Sequence, residues 1–581
     1  MRVVQVSLRR FRGFEDLTVQ TADDVVLVGE PRAGRSDLIE GLRRVLTPDG
    51  VRNTVPSELD FWMLETSERA EVEVVLGELG DDLEQDFVDH IEAWDPELGA
   101  LAAPCAPTES ADADDSEWIL RLCYRAAWDA EQEQATHWVD FPDESDPASD
   151  TFARVPRRLH EALPIVVVEG RGRPLRLGPR SDFRRLLDGV DSGTLATAFD
   201  DLVDAVAEAG AALAATRDLG SSVSKVLEPV QGPLGIDASD STLVQFVPEG
   251  GSLSGVLRSL QPAVDLGPPG HLPLHRHGST ASALVQAGEA IAALDNRDAV
   301  VLVDDFGEDL DSISARHLAS TLRKSASQAW ISTRRSSAVE AFPPEDIIRL
   351  YRKDGVRLAA QLERLTAKAD RVAARHLSLQ LLPAASAAVV AVVEGPHDRA
   401  ALEALAARRF ERSSVALPAA HGIAIIDAGA ADGSGGASAV ARLATLAKGL
   451  GFHTIAAIDG DPGRDGQIAL EAAEAAADRV IRLPEGFAVE RALIEDLPDD
   501  VVVSTLQTVC EAFDVTAPSG LDTLSGRELS KTVVAALKKN GGLHAQFVEL
   551  LPTNRTPPTL NQILRAIIES GETRDLGTDQ L

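Results

Sequence analysis

The feature that most constrains this chain is a pattern repeated in its last third, an apolar run that ends in a carboxylate and leads into a helix. VVAVVEGPHDRAALEAL (389–405) reads as a buried strand delivering Glu394 and Gly395, then a helix with Asp398 in its first turn. IAAIDGDPGRDG (455–466) reads as a second buried strand, ending in Asp459 and Asp461. Side chains two residues apart at a strand end point to the same side, so these two acids are expected to act together. Between them GIAIIDAG (422–429) supplies an apolar strand, a Gly-rich loop and a helix to about Gly451. This βαβαβ rhythm implies a parallel sheet. Acids gathered at the C-terminal ends of its strands make a hard-oxygen pocket suited to Mg²⁺ or Mn²⁺, and such ions act on phosphates. Further on, RVIRLPEGFAVERALIED (479–496) places a strand before Glu490 at a helix start.

A second block lies at the N-terminus. In DVVLVGEPRAGRSDLIEGLRRVL (24–46), VVLVG is a short strand, GEPRAGRS a Gly-bounded loop and DLIEGLRRVL an amphipathic helix. Strand, loop and helix in that order are the setting a phosphate-binding loop requires. The loop fits GxxxxGK[ST] at Gly29, Gly34 and Ser36, with Arg35 where Lys is expected. The glycines let backbone N–H groups wrap phosphates, and Ser36 is placed to ligate Mg²⁺. Arg35 keeps the positive charge on a longer, planar fork.

The 581 residues are enough for two to four domains. No run of about eighteen apolar residues occurs, which argues against a membrane span. The start, MRVVQVSLRRFRGF, has no apolar core of a signal peptide, and Cys105, Cys123 and Cys510 form neither a zinc knuckle nor a disulfide framework. A reducing cytoplasm is the simplest home. The net charge of −36 cuts against a DNA partner, since phosphate binding needs local positive charge. Yet Arg154 to Arg185 holds nine Arg against Glu161, Glu169 and Asp182, either a salt-bridged surface or a phosphate-contacting one. RAEVEVVLG (69–77) and EWILRLCY (117–124) alternate like strands of an antiparallel layer beside the phosphate loop. The strand at 163–170 also ends in Glu-Gly, but Arg171, Arg173 and Arg176 follow instead of an acid. Residues 182–228 read as helices, and 356–380 as a helix joining the two halves.

The C-terminal acids, Glu-Gly after one strand and Asp-x-Asp after a later one, resemble the Toprim domain of topoisomerases, primases and OLD-family nucleases. LRRFRGFEDLTVQ (8–20), with Arg12, Gly13 and Phe14 in its turn, resembles the start of the ABC-type ATPase heads of the RecF, SMC and OLD groups. In those heads a later strand ends in Asp-Glu, and DAVVLVDDFGEDLD (298–311) stands in its place. The resemblance implies that Asp304 holds Mg²⁺ through water, while Asp305 replaces the Glu that polarises the attacking water. It sets Arg334 of AWISTRRSS (329–337) where the family has His, and Gly278 and Ser279 in the signature loop. Arg35, Asp305 and Arg334 thus depart at three catalytic positions, which implies slow or lost hydrolysis with ATP still bound. In the Toprim unit Ala488 stands where a Ser or Asp often precedes the further acid. The family's tail Lys falls on Lys531, with Lys538 next.

The whole order resembles OLD-family ATP-dependent endonucleases, the group that includes the Gabija nucleases. The expected fold is α/β: an ABC/RecF-type head (1–181 and 229–355) with a helical insertion (182–228), a helical connector (356–388), and a C-terminal Toprim domain with helical tail (389–581). The resemblance implies a metal-dependent DNA endonuclease regulated by nucleotide, in antiviral defence. Glu394, Asp459, Asp461 and Lys531 would be catalytic, and Glu394, Asp398, Asp459, Asp461 and Glu490 would hold Mg²⁺ or Mn²⁺. Gly29, Gly34, Arg35, Ser36, Asp304 and Asp305 would bind ATP. Expected partners are DNA, a second copy as homodimer or higher, with the insertion either dimerising or packing on its own domain, and a helicase-like protein. A topoisomerase needs a nucleophilic Tyr, and Tyr124 and Tyr351 lie in the head and before the connector, far from any DNA-cleavage winged helix; a primase usually brings a zinc ribbon, which the cysteines cannot build. The other reading is a nucleotide or DNA sensor in a defence or repair complex. Clustering acids without a cation costs repulsion, which favours the enzyme.

Overall fold

The structure, a computed structural model, describes residues 1–101 (except 22, 53 and 97), 117–168, 263–265, 271–273, 276–294, 298–362, 379–429, 436–460, 462–539 and 542–572. It also describes helical positions at 197, 201, 204, 205, 208 and 212; the rest of the expected insertion at 182–228 lies outside the described residues, as does Asp461. Most of the Arg154–Arg185 cluster lies outside them too.

The strands β1 (Arg2–Phe11), β2 (Phe14–Gln20) and β3 (Val25–Gly29) lead into helix α1 (Arg35–Leu46). Next come β4 (Ala70–Gly77), β5 (Ile91–Asp95), β6 (Ala100–Leu101), β7 (Glu117–Asp129), β8 (Gln134–Asp140) and β9 (Ile165–Val168). The short pair β10 (Ala263–Asp265) and β11 (His271–Pro273) precedes helix α2 (Ser279–Leu294) and strand β12 (Val300–Val303). Helix α3 (Ser312–Ser325) then precedes β13 (Gln328–Ser332), β14 (Ile347–Lys353) and β15 (Val356–Gln361). One sheet has the order β2-β1-β4-β7-β5-β6 with β8 on β7, and its pairs are antiparallel, as the alternation at 69–77 and 117–124 predicts. The other has the order β15-β14-β3-β13-β12-β9 and is parallel except at β15.

The strands β3, β12 and β13 are buried throughout, which is why they read as continuous apolar runs rather than alternating ones. Val25 and Leu27 face α1 and the antiparallel sheet, while Val26 and Val28 face the layer of α2 and α3. A single helix, α1, is therefore clamped between two sheets, and the phosphate-loop candidate at its N-terminus is held from both sides.

The C-terminal unit holds β16 (Val389–Val393), helix α4 (Pro396–Ser413), β17 (Ile423–Asp427), α5 (Ala437–Gly449) and β18 (His453–Ile458). It continues with α6 (Gly463–Ala476), β19 (Arg479–Arg482), α7 (Val489–Ala492), α8 (Asp499–Ala512), α9 (Gly526–Lys539), α10 (His544–Leu550) and α11 (Pro558–Glu572). Its sheet is wholly parallel, order β17-β16-β18-β19, so the ends of β16 and β18 are neighbours. Val389, Ala391 and Val393 pack under α4 and the tail helices, while Val390 and Val392 pack under α5 and α6. Arg408 of α4, almost fully buried, donates to the carbonyls of Glu549, Leu551, Pro552 and Arg555 and so anchors the tail. No helix among the described residues is long and apolar enough to cross a membrane.

The expected helix over 356–380, and with it the purely helical connector 356–388, needs correction at its start. Val356–Gln361 is the edge strand β15, paired with β14. Asp354 and Gly355 both have positive φ, 52° and 82°, and form a two-residue hairpin turn between Lys353 and its partner Val356. Asp-Gly between alternating runs is a strong hairpin signal, and it outweighs helical spacing here.

Beside this sheet lies a buried acid with a measurable consequence. Asp346 is buried, and its Oδ2 has no hydrogen-bond partner among the described residues. Burial, then the nearby charge of Asp24, pushes its carboxyl up to about 7. The unfolded chain ionises this group near 4 and the folded one only near 7, so its contribution is present in acid and lost as pH rises between these values. Urea melts should show stability falling by up to about 4 kcal/mol over that window, and Asp346→Asn should remove that slope. An unchanged slope in the variant would rule the assignment out.

Candidate functional site

The C-terminal carboxylates assemble at one edge of the parallel sheet. Asp459 follows β18, Glu394 follows β16, and the Asp459 N–H donates to Glu394 Oε1 at 2.7 Å. The next residue, Gly460, packs against the segment after β19, where a Cβ would lie 1.9 Å from the Pro484 carbonyl oxygen. Asp398 turns back over the first turn of α4, where its Oδ2 accepts the Gly395 N–H at 2.9 Å. A small cavity beneath is lined by Asp398 and Asp459 among Val393, Leu402, Leu483 and Val489. Burial, then the charge of Glu490 and, more weakly, of Glu394, raises Asp398 to about 7, against the pull of the Gly395 N–H.

Glu490 sits in the first turn of α7, as predicted, and is nearly buried. Burial alone would raise it, but the proximity of His544 and Lys538 holds it down at about 2. Lys538 Nζ lies 3.1 Å from Glu490 Oε1 and His544 Nε2 3.4 Å from it. Of the two tail lysines, it is Lys538 that reaches the acids. Lys531 is exposed two turns earlier on the same helix, which begins at Gly526 rather than at Lys531. Ala488 caps α7 without a side-chain bond.

Sequence reading missed three neighbours. His544 is fully buried and stacks on His397, ring centroids 4.8 Å apart, and no spacing marks a pair 147 positions apart. Asp427 closes β17 in register with Val393, one strand over from Glu394, and lies 3.6 Å from Arg399. GIAIIDAG does carry the signal, an acid closing an apolar run.

All these donors are hard carboxylate oxygens, the set that Mg²⁺ and Mn²⁺ prefer. Among the described residues no three His, Cys, Asp or Glu side chains converge closely enough to hold an ion as placed. Glu394, Asp398, Asp459 and Glu490 nonetheless lie together, and the raised Asp398 reports burial first and then the neighbouring charges of Glu490 and Glu394. A cation held there must displace the Asp398 proton, so affinity should rise with pH through about 7. Calorimetry with Mn²⁺ should show binding about tenfold weaker at pH 6 than at pH 8, a difference Asp398→Asn should erase. Equal wild-type affinity at both values would remove Asp398 from the ligand set.

In the N-terminal unit the phosphate-loop residues stand between strand and helix as predicted. Gly29 has φ 145°, and a Cβ there would lie 2.0 Å from the Leu350 carbonyl oxygen. Gly34 has φ 98° and presses on the Phe14 ring, which a Cβ would meet at 2.6 Å. Both positions demand glycine. Ser36 is exposed in the first turn of α1. The turn before β2 is locked to that same helix turn: Arg12 donates to Asp37 at 2.8 Å and to Asp60 at 2.9 Å. Arg357 of β15, which the helix reading of that segment hid, also donates to Asp37, at 2.5 Å.

The three departing residues meet at the ends of β3, β12 and β13. Arg35 Nη1 donates to the Thr333 carbonyl at 2.7 Å. Burial, then repulsion from Arg334, lowers its pKa, with Asp305, Asp304 and Glu308 opposing. Asp304 accepts the Ser332 hydroxyl at 2.5 Å, and the Asp305 N–H donates to that hydroxyl at 2.8 Å. Asp305 is held at φ 49°, and Arg334 lies 3.8 Å from its carboxylate and 3.4 Å from that of Glu308. Gly278 and Ser279 stand at the start of α2.

No family model matches the chain, and none of the curated proteins matches it by sequence. Solved structures that it resembles include an SMC head bound to the C-winged helix domain of ScpA, at 14% identity and TM-score 0.34, covering 64% of this chain and 100% of that one. The SMC head domain from Thermotoga maritima gives 11% identity and TM-score 0.27, over 63% and 100% of the two chains. The Pyrococcus furiosus Smc head, with an extended coiled coil and bound to the C-terminal domain of ScpA, gives 12% and 0.35, over 62% and 96%. Overall similarity this low assigns neither an activity nor a partner.

Proposed function

We propose that this chain is a metal-dependent DNA endonuclease of the OLD type, with a C-terminal Toprim unit that cuts and an ABC-type head that binds ATP. The observation that carries the reading is the meeting of Glu394 and Asp459 on neighbouring strand ends, beside an Asp398 raised to about 7 by burial and then by the charge of Glu490. Glu394, Asp398, Asp459 and Glu490, with Asp461, would hold one or two Mg²⁺ or Mn²⁺ ions. Such ions, when bound, supply charge stabilisation at the phosphodiester and a more acidic water. Lys538, more than half exposed while paired with Glu490, can swing a donor onto a non-bridging phosphate oxygen. Asp459 turns its backbone N–H to Glu394 and so fixes one oxygen of that carboxylate at the strand ends.

In the head, Gly29, Gly34, Arg35 and Ser36 would take the nucleotide phosphates, and Asp304 an Mg²⁺ through water. The pairing of Arg334 with Asp305 supports binding without efficient turnover. A homodimer or higher assembly, a helicase-like partner and a role in antiviral defence belong to the same proposal. Cutting of duplex DNA by the purified protein with Mg²⁺ or Mn²⁺, compared with Asp459→Ala, tests it.

A further inference from the structure

One buried cation joins the two units. Arg349, on β14, is 1% exposed. Its Nη1 donates to the carbonyls of Leu450 and Gly451 at 3.2 and 2.9 Å, and its Nη2 to that of Ala387 at 2.7 Å. The guanidinium lies over the Phe452 ring, 3.6 Å from its centroid. These acceptors have a particular position. Ala387 lies two residues before β16 and Gly451 two residues before β18, and the two strands pair at Val389 and His453. Arg349 therefore ties together the N-terminal ends of the strands whose C-terminal ends deliver Glu394 and Asp459.

The other side of β14 is the phosphate-loop strand. Arg349 pairs with Val28 and Leu350 with Gly29, whose missing Cβ lets it touch the Leu350 carbonyl. The Arg352 N–H donates to Glu30 at 2.5 Å. Tyr351, one pleat along from Arg349 on the same face, packs on Gly451, where a Cβ would meet its ring at 2.4 Å. The backbone of β14 thus holds the phosphate-loop strand and Glu30, while the side chains of Arg349 and Tyr351 hold the roots of the carboxylate strands.

We propose that Arg349 is the positioning residue through which the phosphate-loop strand sets the placement of Glu394 and Asp459. The inference rests on the nuclease reading above and adds its mode of control. A buried guanidinium with several carbonyl acceptors and a ring beneath it cannot shift without losing bonds, so it transmits displacement rather than absorbing it. Six residues separate His453 from Asp459, a lever of about 20 Å at strand rise. A tilt of about 3° at the root moves the carboxylate by about 1 Å, a misplacement that costs about 10²-fold in rate.

The test uses the full chain. Arg349→Met should lower kcat for DNA cutting by about 10²-fold while KM stays within about twofold, because DNA still meets the same surface. Arg349→Lys keeps a charge and rotatable donors without the planar fork, and should recover to within about tenfold of wild type. Hydrogen exchange supplies a readout that needs no cutting. A non-hydrolysable ATP analogue should change exchange at 29–36 and at 451–459 in wild type, and at 29–36 alone in Arg349→Met. A folded Arg349→Met with normal kcat, or with the 451–459 response intact, overturns the proposal. So does a wild type in which nucleotide leaves 451–459 unchanged. If Arg349→Met does not fold, Arg349→Lys and Phe452→Leu carry the comparison, and full activity with an intact response in both overturns it. Cutting that is indifferent to Asp459→Ala would instead strike the nuclease reading itself, a result the exchange data distinguish from failure of the link.

Discussion

Asp459→Ala is expected to reduce Mg²⁺- or Mn²⁺-dependent cutting of duplex DNA by about a thousandfold or more, roughly 4 kcal/mol of barrier. Asp459 stands where two strand ends touch, and in the proposed site its carboxylate and that of Glu394 would share a cation. Removing it takes away a ligand while leaving the backbone N–H that steadies Glu394, so the fold around the site should survive. A matched control is Asp499→Ala. Asp499 opens α8 in the tail of the same unit, where it accepts the Gly526 N–H at 3.1 Å. Its loss should cost stability and leave kcat per folded molecule near wild type. Nicking and linearisation of a supercoiled plasmid, followed over time, reads both variants. Equal cutting by Asp459→Ala and wild type would sink the assignment of the carboxylates, and with it the enzyme.

How much of this was legible beforehand follows from which interactions are local. A strand that ends in an acid and enters a helix is written in consecutive residues, so Glu394, Asp398 and Asp459 could be placed from periodicity alone. So could Gly29, Gly34 and Arg35, because a phosphate loop is a local backbone device. Contacts between distant segments left no such trace. Arg349 reads as one charged residue in an edge-like strand, yet it is buried because the carbonyls of Ala387, Leu450 and Gly451 come to it from a hundred or so residues away or less. His544 and Lys538 reach Glu490 only because α10 packs back on α4 and α9 on α7. Between Lys531 and Lys538 the helix periodicity gives no choice, since seven residues is close to two turns and both share a face. The Asp354-Gly355 turn is a different case. Its signal was local and was overruled by apolar spacing in 356–380, which hid both β15 and Arg357.

ATP turnover by the wild-type chain is expected to stay below about one per second, the low end of ordinary enzyme rates. The reason lies in how the three unusual residues satisfy one another. Arg35 spends one of its five N–H donors on the Thr333 carbonyl, which ties its fork to the end of β13. Asp305, in a left-handed conformation a non-glycine residue adopts at a cost, has Arg334 near its carboxylate, and Arg334 is also drawn to Glu308. A carboxylate engaged by a cation is a poorer base for water, and an Asp is one methylene short of the Glu it replaces. Each effect alone is modest, but a displacement of about 1 Å at a reacting centre costs about 10²-fold. Restoring all three together, Arg35→Lys with Asp305→Glu and Arg334→His, should therefore raise phosphate release by about 10²-fold or more. Single substitutions should do little, because each leaves the other two departures in place. Phosphate release measured under saturating ATP decides the matter. Wild-type turnover of several per second would show that the Asp305–Arg334 arrangement is catalytically competent. A triple variant no faster than wild type, though it binds ATP by calorimetry, would mean that what limits hydrolysis lies outside these residues.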